Sequence, residues 1–169
     1  SNFNPAARAP RSSATGLFQF RDHAWLESIR TFGADYGLQD YASRVELIDS
    51  ADYAQERIVR DPLQLEVLAL RLNPRLSTLM MAENIKRNLQ ILSERTGQEP
   101  GRTDLYLAHF LGPDGAVLFL KKLDESPAAI AGELFPQATE SYPGVFLTPR
   151  QQPRTVADVY RRFDRKFNT

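Results

Sequence analysis

The chain has 169 residues, with 21 basic and 21 acidic side chains, two histidines and no cysteine. That length suits one domain with a real core, and the cancelled charge leaves no global field of the kind that marks a nonspecific binder of nucleic acid or anionic membrane. Without thiolates there is neither a disulfide framework nor a cysteine zinc site, and the longest apolar runs, "VLAL" and "AVLFL", are far shorter than the ~20 residues of a membrane span.

The opening "SNFNPAARAPRSSATGLFQF" reads as polar turns punctuated by Pro5 and Pro10, followed by an uncharged run from Ala14 to Phe20. In "RDHAWLESIRTFGADYG", Ala24, Trp25, Ile29 and Phe32 recur at helical spacing, with Asp22 as the expected N-cap and Gly37 as the stop. "DYASRVELID" and "ADYAQERIVR" are shorter amphipathic helices. In "DPLQLEVLALRLN", Pro62 opens a helix behind a capping Asp61, and Asn73 before Pro74 repeats the device. The next helix, "LSTLMMAENIKRNLQILSERTG", carries a stripe of Met81, Ile85, Leu89 and Leu92 that predicts a core face, closed by Gly97. "TDLYLAHFLGPDGAVLFLKKL" predicts two helices broken at Gly112-Pro113, the first capped by Thr103.

After Leu123 prolines and scattered aromatics predict an extended wrap, anchored by Phe135, Tyr142, Val145 and Phe146. A terminal helix, "RTVADVYRRFDRKF", follows with Thr155 as its cap. The class expected is all-α, with residues 1–125 as the main domain and 126–169 as an extension packed on it.

Three stretches taken together carry a resemblance. "SNFNPAA", "ATGLFQF" and Ala108-His109-Phe110-Leu111-Gly112 occur in the order of the three motifs of the lytic transglycosylases of the lysozyme-like superfamily. Those motifs read Glu-Ser-x-Phe-x-Pro-x-Ala, Gly-Leu-Met-Gln and Ala-Tyr-Asn-x-Gly. Ser1, Phe3, Pro5 and Ala7 match the first; Gly16, Leu17 and Gln19 match the second, with Phe18 for Met; the third departs at His109 and Phe110. The resemblance spans roughly Ser1 to Leu123, and three ordered motifs are far more specific than one.

The resemblance implies a lysozyme-like helical domain that cleaves peptidoglycan between N-acetylmuramic acid and N-acetylglucosamine, leaving 1,6-anhydro ends. It implies a catalytic glutamate immediately before Ser1, a position outside this sequence. A carboxylic acid in a partly apolar cleft has a raised pKa and can protonate the departing oxygen; as a carboxylate it then accepts the proton of the 6-hydroxyl. One protein carboxylate suffices, with the substrate's acetamido group assisting, and no metal or organic cofactor is needed. Glu27-Ser28, Glu125-Ser126 and Glu140-Ser141 repeat the dipeptide, but none precedes a Gly-Leu-x-Gln turn at the family spacing.

By the same resemblance Gly16 and Gln19 line the sugar groove, and Ser12 or Ser13 supplies a hydroxyl opposite the acid or simply caps a turn. His109 stands where the family has a tyrosine that contacts the acid, or is a satisfied structural histidine; Tyr106, one turn earlier, and Phe110, beside it in the third motif, are expected with it among the substrate-binding residues. Glu83 is either the first member of an i,i+4 pair with Arg87 or a second acid facing the groove. The implied location is the periplasm or cell envelope, and the implied partners are glycan strands and envelope assemblies rather than nucleic acid. The altered third motif keeps open an alternative: a noncatalytic peptidoglycan-binding or scaffold module.

Overall fold

The structure is a computed structural model, and it describes residues 4–10, 12–45 and 62–167. Ser1 and Phe3 of the first motif, the capping Asp61 and the helix expected in "ADYAQERIVR" lie outside the described residues. The chain is all-α: the described residues form helices joined by turns, with only isolated β-bridges. None of these helices is long and apolar enough to cross a membrane. Packing divides the chain into two units, Ser1–Asn84 and Ile85–Thr169.

The first unit contains α1 (Asp22–Phe32), a 3-10 turn (Gly33–Tyr36), α2 (Gln39–Arg44), α3 (Pro62–Ala69) and the opening turns of α4 (Pro74–Thr96). Its core is Phe20, Trp25, Leu26, Ile29, Val45, Val67, Leu68, Met80 and Met81. Trp25 is fully buried, which is tolerable for an indole because its Nε1 donates to the Val67 carbonyl at 2.7 Å. Gly37 stops the 3-10 turn in the left-handed region, as expected, and Asn73 caps α4 by accepting from the amides of Arg75 and Leu76.

Two expectations change here. Arg21, not Asp22, is the N-cap of α1; the Asp22 carboxylate is turned inward against Arg71. On α4, Met81 and Leu92 are buried, but Ile85 and Leu89 are 41% and 45% exposed. The buried row instead runs through Ser77, Met81, Asn84, Asn88 and Leu92. Asn84 is held on this inner face by its Nδ2, which donates to the Ser28 Oγ at 2.6 Å and to the Met80 carbonyl at 2.7 Å.

The second unit contains the rest of α4, then α5 (Arg102–Glu125), three short helices, α6 (Ala131–Leu134), α7 (Pro136–Ser141) and α8 (Pro143–Phe146), and α9 (Val156–Asp164). Its core joins Leu92 to Leu107, Ala108, Ala116, Val117, Phe119, Ala131, Phe146, Val156, Val159 and Phe163. The expected break in α5 is a kink at Gly112, whose φ of 77° and ψ of 162° are non-helical, beside Pro113. Thr103 does not cap this helix: the Asp104 carboxylate accepts from the Gly101 amide at 2.7 Å, and the Thr103 hydroxyl donates to Asp164 at 2.9 Å.

The segment expected to be an extended wrap is folded into α6, α7 and α8. Pro136 and Pro143 each sit at the start of a helix, where a missing N–H costs nothing. Phe135 stacks on Phe119 with centroids 6.1 Å apart, Tyr142 meets Phe110 edge-on at 5.1 Å, and Phe146 is buried. Thr155 caps α9 in a reciprocal box with Asp158, as its position before the apolar stripe predicts.

Candidate functional site

The second motif lies in a loop, residues 4–10 and 12–21 as described, that has little regular structure but many internal hydrogen bonds. The Ala9 amide donates to the Ala14 carbonyl at 2.9 Å, Thr15 to Phe20 at 3.1 Å and Gly16 to Ala7 at 2.8 Å. Arg8, Thr15 and Phe20 are thereby joined through two antiparallel bridges. Gly16 adopts a φ of +85°, and a Cβ placed on it would stand 2.5 Å from the Arg71 carbonyl oxygen. Both facts require glycine.

Gln19 closes the turn. Its backbone is left-handed, with φ at 56°, and its Nε2 donates to the carbonyls of Gly16 at 2.9 Å and Ala7 at 3.3 Å. The side chain therefore ties the second motif to Ala7 of the first. The Ser13 hydroxyl accepts from the Asp22 amide at 3.2 Å, satisfying one of the free donors at the start of α1. Ser12 takes part in the same turn, accepting from the Ala14 amide at 3.4 Å.

Beneath this loop is a residue that the sequence reading passed over. Arg71 is 6% exposed, and its Nη1 lies 3.0 Å from the carbonyl oxygens of both Ser13 and Phe20 and 2.6 Å from Asp22 Oδ1. Its Nε donates to the Leu68 carbonyl at 3.0 Å. The carboxylate offsets the charge, and the carbonyls take up the guanidinium donors, so burial is compensated. The only signal in the sequence was an arginine between Leu70 and Leu72 in an otherwise apolar run, a charge that needs a destination.

Glu83, also in the first unit, is half-buried and accepts a hydrogen bond from the Tyr36 hydroxyl at 2.6 Å. That hydrogen bond, with burial and the carboxylate's charge adding to it, pushes the Tyr36 phenol above its ordinary value of 10. An open cleft of about 460 Å³ lies between α2 and α3, lined by Leu38, Asp40, Tyr41, Arg44, Leu63 and Glu66 among others. The Tyr41 hydroxyl donates to Glu66 there, and this bond raises the Tyr41 phenol. Ser13, Gly16, Gln19 and Glu83 are not among its described lining residues.

Tyr106, His109 and Phe110 belong to the second unit, on α5. Tyr106 packs edge-on against Phe163 and Phe167 at 5.1 and 5.6 Å, and Lys166 Nζ donates to its hydroxyl at 3.2 Å. Phe110 is set among Tyr142, Phe146 and Phe163, at 5.1, 6.3 and 5.4 Å. These two rings are packing residues of the second core, and half-buried His109 follows fully packed Ala108 on the same helix. Ser13, Gly16 and Gln19 form one hydrogen-bonded loop, whereas Glu83 is engaged with Tyr36; Tyr106 and Phe110 meet on Phe163. Among the described residues no three His, Asp or Glu side chains gather as a metal-ligand set. No protein-family model matches the chain.

Proposed function

We propose that the chain is the lysozyme-like portion of a peptidoglycan lytic transglycosylase working in the periplasm or cell envelope. The observation that carries this reading is the ordered run of three motifs, "SNFNPAA", "ATGLFQF" and "AHFLG", in an all-α chain. The build of the Gly16–Gln19 turn supports it. A groove segment that meets a sugar must be fixed before the sugar arrives, and this one is closed on itself by backbone bonds and by the Gln19 amide. With Nε2 committed to the loop, any sugar hydroxyl contacted by Gln19 donates to its Oε1.

In this reading the general acid is the glutamate of the first motif, at the position before Ser1. It protonates the glycosidic oxygen as the bond to carbon 1 of N-acetylmuramic acid breaks. It then accepts the proton of the 6-hydroxyl as that oxygen closes onto carbon 1. No water is consumed. The runner-up is a noncatalytic glycan-binding or scaffold module of an envelope assembly, favoured by the replacement of the motif's Tyr and Asn by His109 and Phe110.

The test is digestion of purified peptidoglycan by the chain extended with glutamate before Ser1. Mass spectrometry is expected to find 1,6-anhydromuropeptides, and the glutamine counterpart is expected to bind glycan with turnover reduced ~10²–10⁴-fold. Products one water heavier would make the protein a hydrolase. Binding without cleavage by the glutamate-bearing chain would select the module, and absence of both would defeat the reading. Cleavage by the 169-residue chain itself, abolished by Glu83→Gln, would transfer the acid's role to Glu83.

A further inference from the structure

We propose that Arg71 is a positioning residue: it fixes the mouth of the 13–20 loop and thereby sets where Gln19 presents its amide to a glycan. The glycan part rests on the function proposed above; the positioning part does not. Three observations converge on it. The same guanidinium nitrogen is 3.0 Å from the carbonyls of Ser13 and Phe20, the two ends of the loop, so those ends are held at one point. The Arg71 backbone carbonyl lies against Gly16, where it leaves no space for a Cβ. The Nε bond to Leu68 and the charge of Asp22 fix the guanidinium itself.

A single residue therefore contacts the loop at its start, at its glycine and at its end, the side chain from one side and the main chain from another. A packing role alone would not need this fork. An ammonium at the same place is a point donor on a flexible stem and cannot hold two carbonyls while also anchoring itself to Leu68. Because Asp22 cancels the charge, the device adds no net field to a turn that would meet a neutral sugar. Arg71 acts through Gln19 and itself touches no substrate.

The experiment combines amide hydrogen exchange with binding of a chitotetraose probe to the 169-residue chain. In Arg71→Lys, the Gly16 and Gln19 amides are expected to exchange about five- to tenfold faster, the scale of one lost hydrogen bond, while protection within α1 is retained. Where that variant does not fold, the double replacement Arg71→Met with Asp22→Leu removes both charges together, a change that buried pairs commonly tolerate, and is expected to loosen the same two amides. Unchanged exchange at Gly16 and Gln19 in a folded variant overturns the proposal.

For the probe, Arg71→Lys and Gln19→Ala are each expected to weaken binding, and the double variant to bind as weakly as Gln19→Ala alone. Additive losses would mean that Arg71 does not act through Gln19. A wild-type chain that ignores chitotetraose would count against the glycan reading, while the exchange result would still decide whether Arg71 positions the loop.

Discussion

At the scale of single residues, Gly16 shows how a motif position acquires a physical reason. Its left-handed backbone and the 2.5 Å gap to the Arg71 oxygen act together, so Gly16→Ala is strained in conformation and in space. The backbone contribution alone is expected to cost about 1–3 kcal/mol, seen as a lower midpoint in urea unfolding. Glycine there was legible, because a Gly-Leu-x-Gln turn asks for it. Arg71 was not, since its partners Ser13, Phe20 and Asp22 are some fifty residues away and nothing local announces them. Tyr36 was likewise unreadable as the partner of Glu83, for which the nearer and weaker choice was Arg87. Long-range polar contacts leave no periodic trace.

At the scale of elements, caps were readable in part, at Asn73 and Thr155 but not at Asp22 or Thr103, and short helices were the least readable. The Thr155–Asp158 box follows from a Ser/Thr residue placed three before an acid ahead of an apolar stripe. Thr155→Ala is expected to cost about 1 kcal/mol, measured by thermal melting. Hydrogen bonds from Arg161 and then from Thr155 hold the Asp158 carboxyl below its ordinary 3.8. A depressed acid contributes stability that is complete above the unfolded value and lost as the pH falls through the folded one. The cap's contribution should therefore fade as the pH falls below the ordinary 3.8, and Asp158→Asn should remove that part of the acid sensitivity. By contrast, α6, α7 and α8 have four to six residues each, too few for a helical period to show, and their prolines imitate an extended strip. On α4 the period was legible and the phase was not, because Ser77, Asn84 and Asn88 occupy the inner face that apolar counting reserves for Ile85 and Leu89.

At the scale of the whole molecule, two apolar clusters share the chain, and the boundary between Asn84 and Ile85 falls inside a continuous helix rather than in a linker. No Pro, Gly or Ser run marks it, which is why composition could not. The second cluster closes over its C-terminal segment through Phe146, which is 1% exposed and pairs with Phe110 and Phe135. Phe146→Ala is expected to cost about 3–5 kcal/mol and to open residues 126–154 to limited proteolysis that the parent chain resists.

The Asn84–Ser28 contact in the first cluster has an effect beyond its own strength. A helix can slip one turn along an oily neighbour, about 5.4 Å, and still bury hydrocarbon against hydrocarbon. Here such a slip would break the one bond that crosses between the helices, from the Asn84 amide to the Ser28 hydroxyl, while each group kept only its partner in its own helix, so the contact indexes α4 to α1 at one register. Asn84→Leu should accordingly melt within a few degrees of the parent yet broaden or double its methyl resonances, because several near-equal packings replace one.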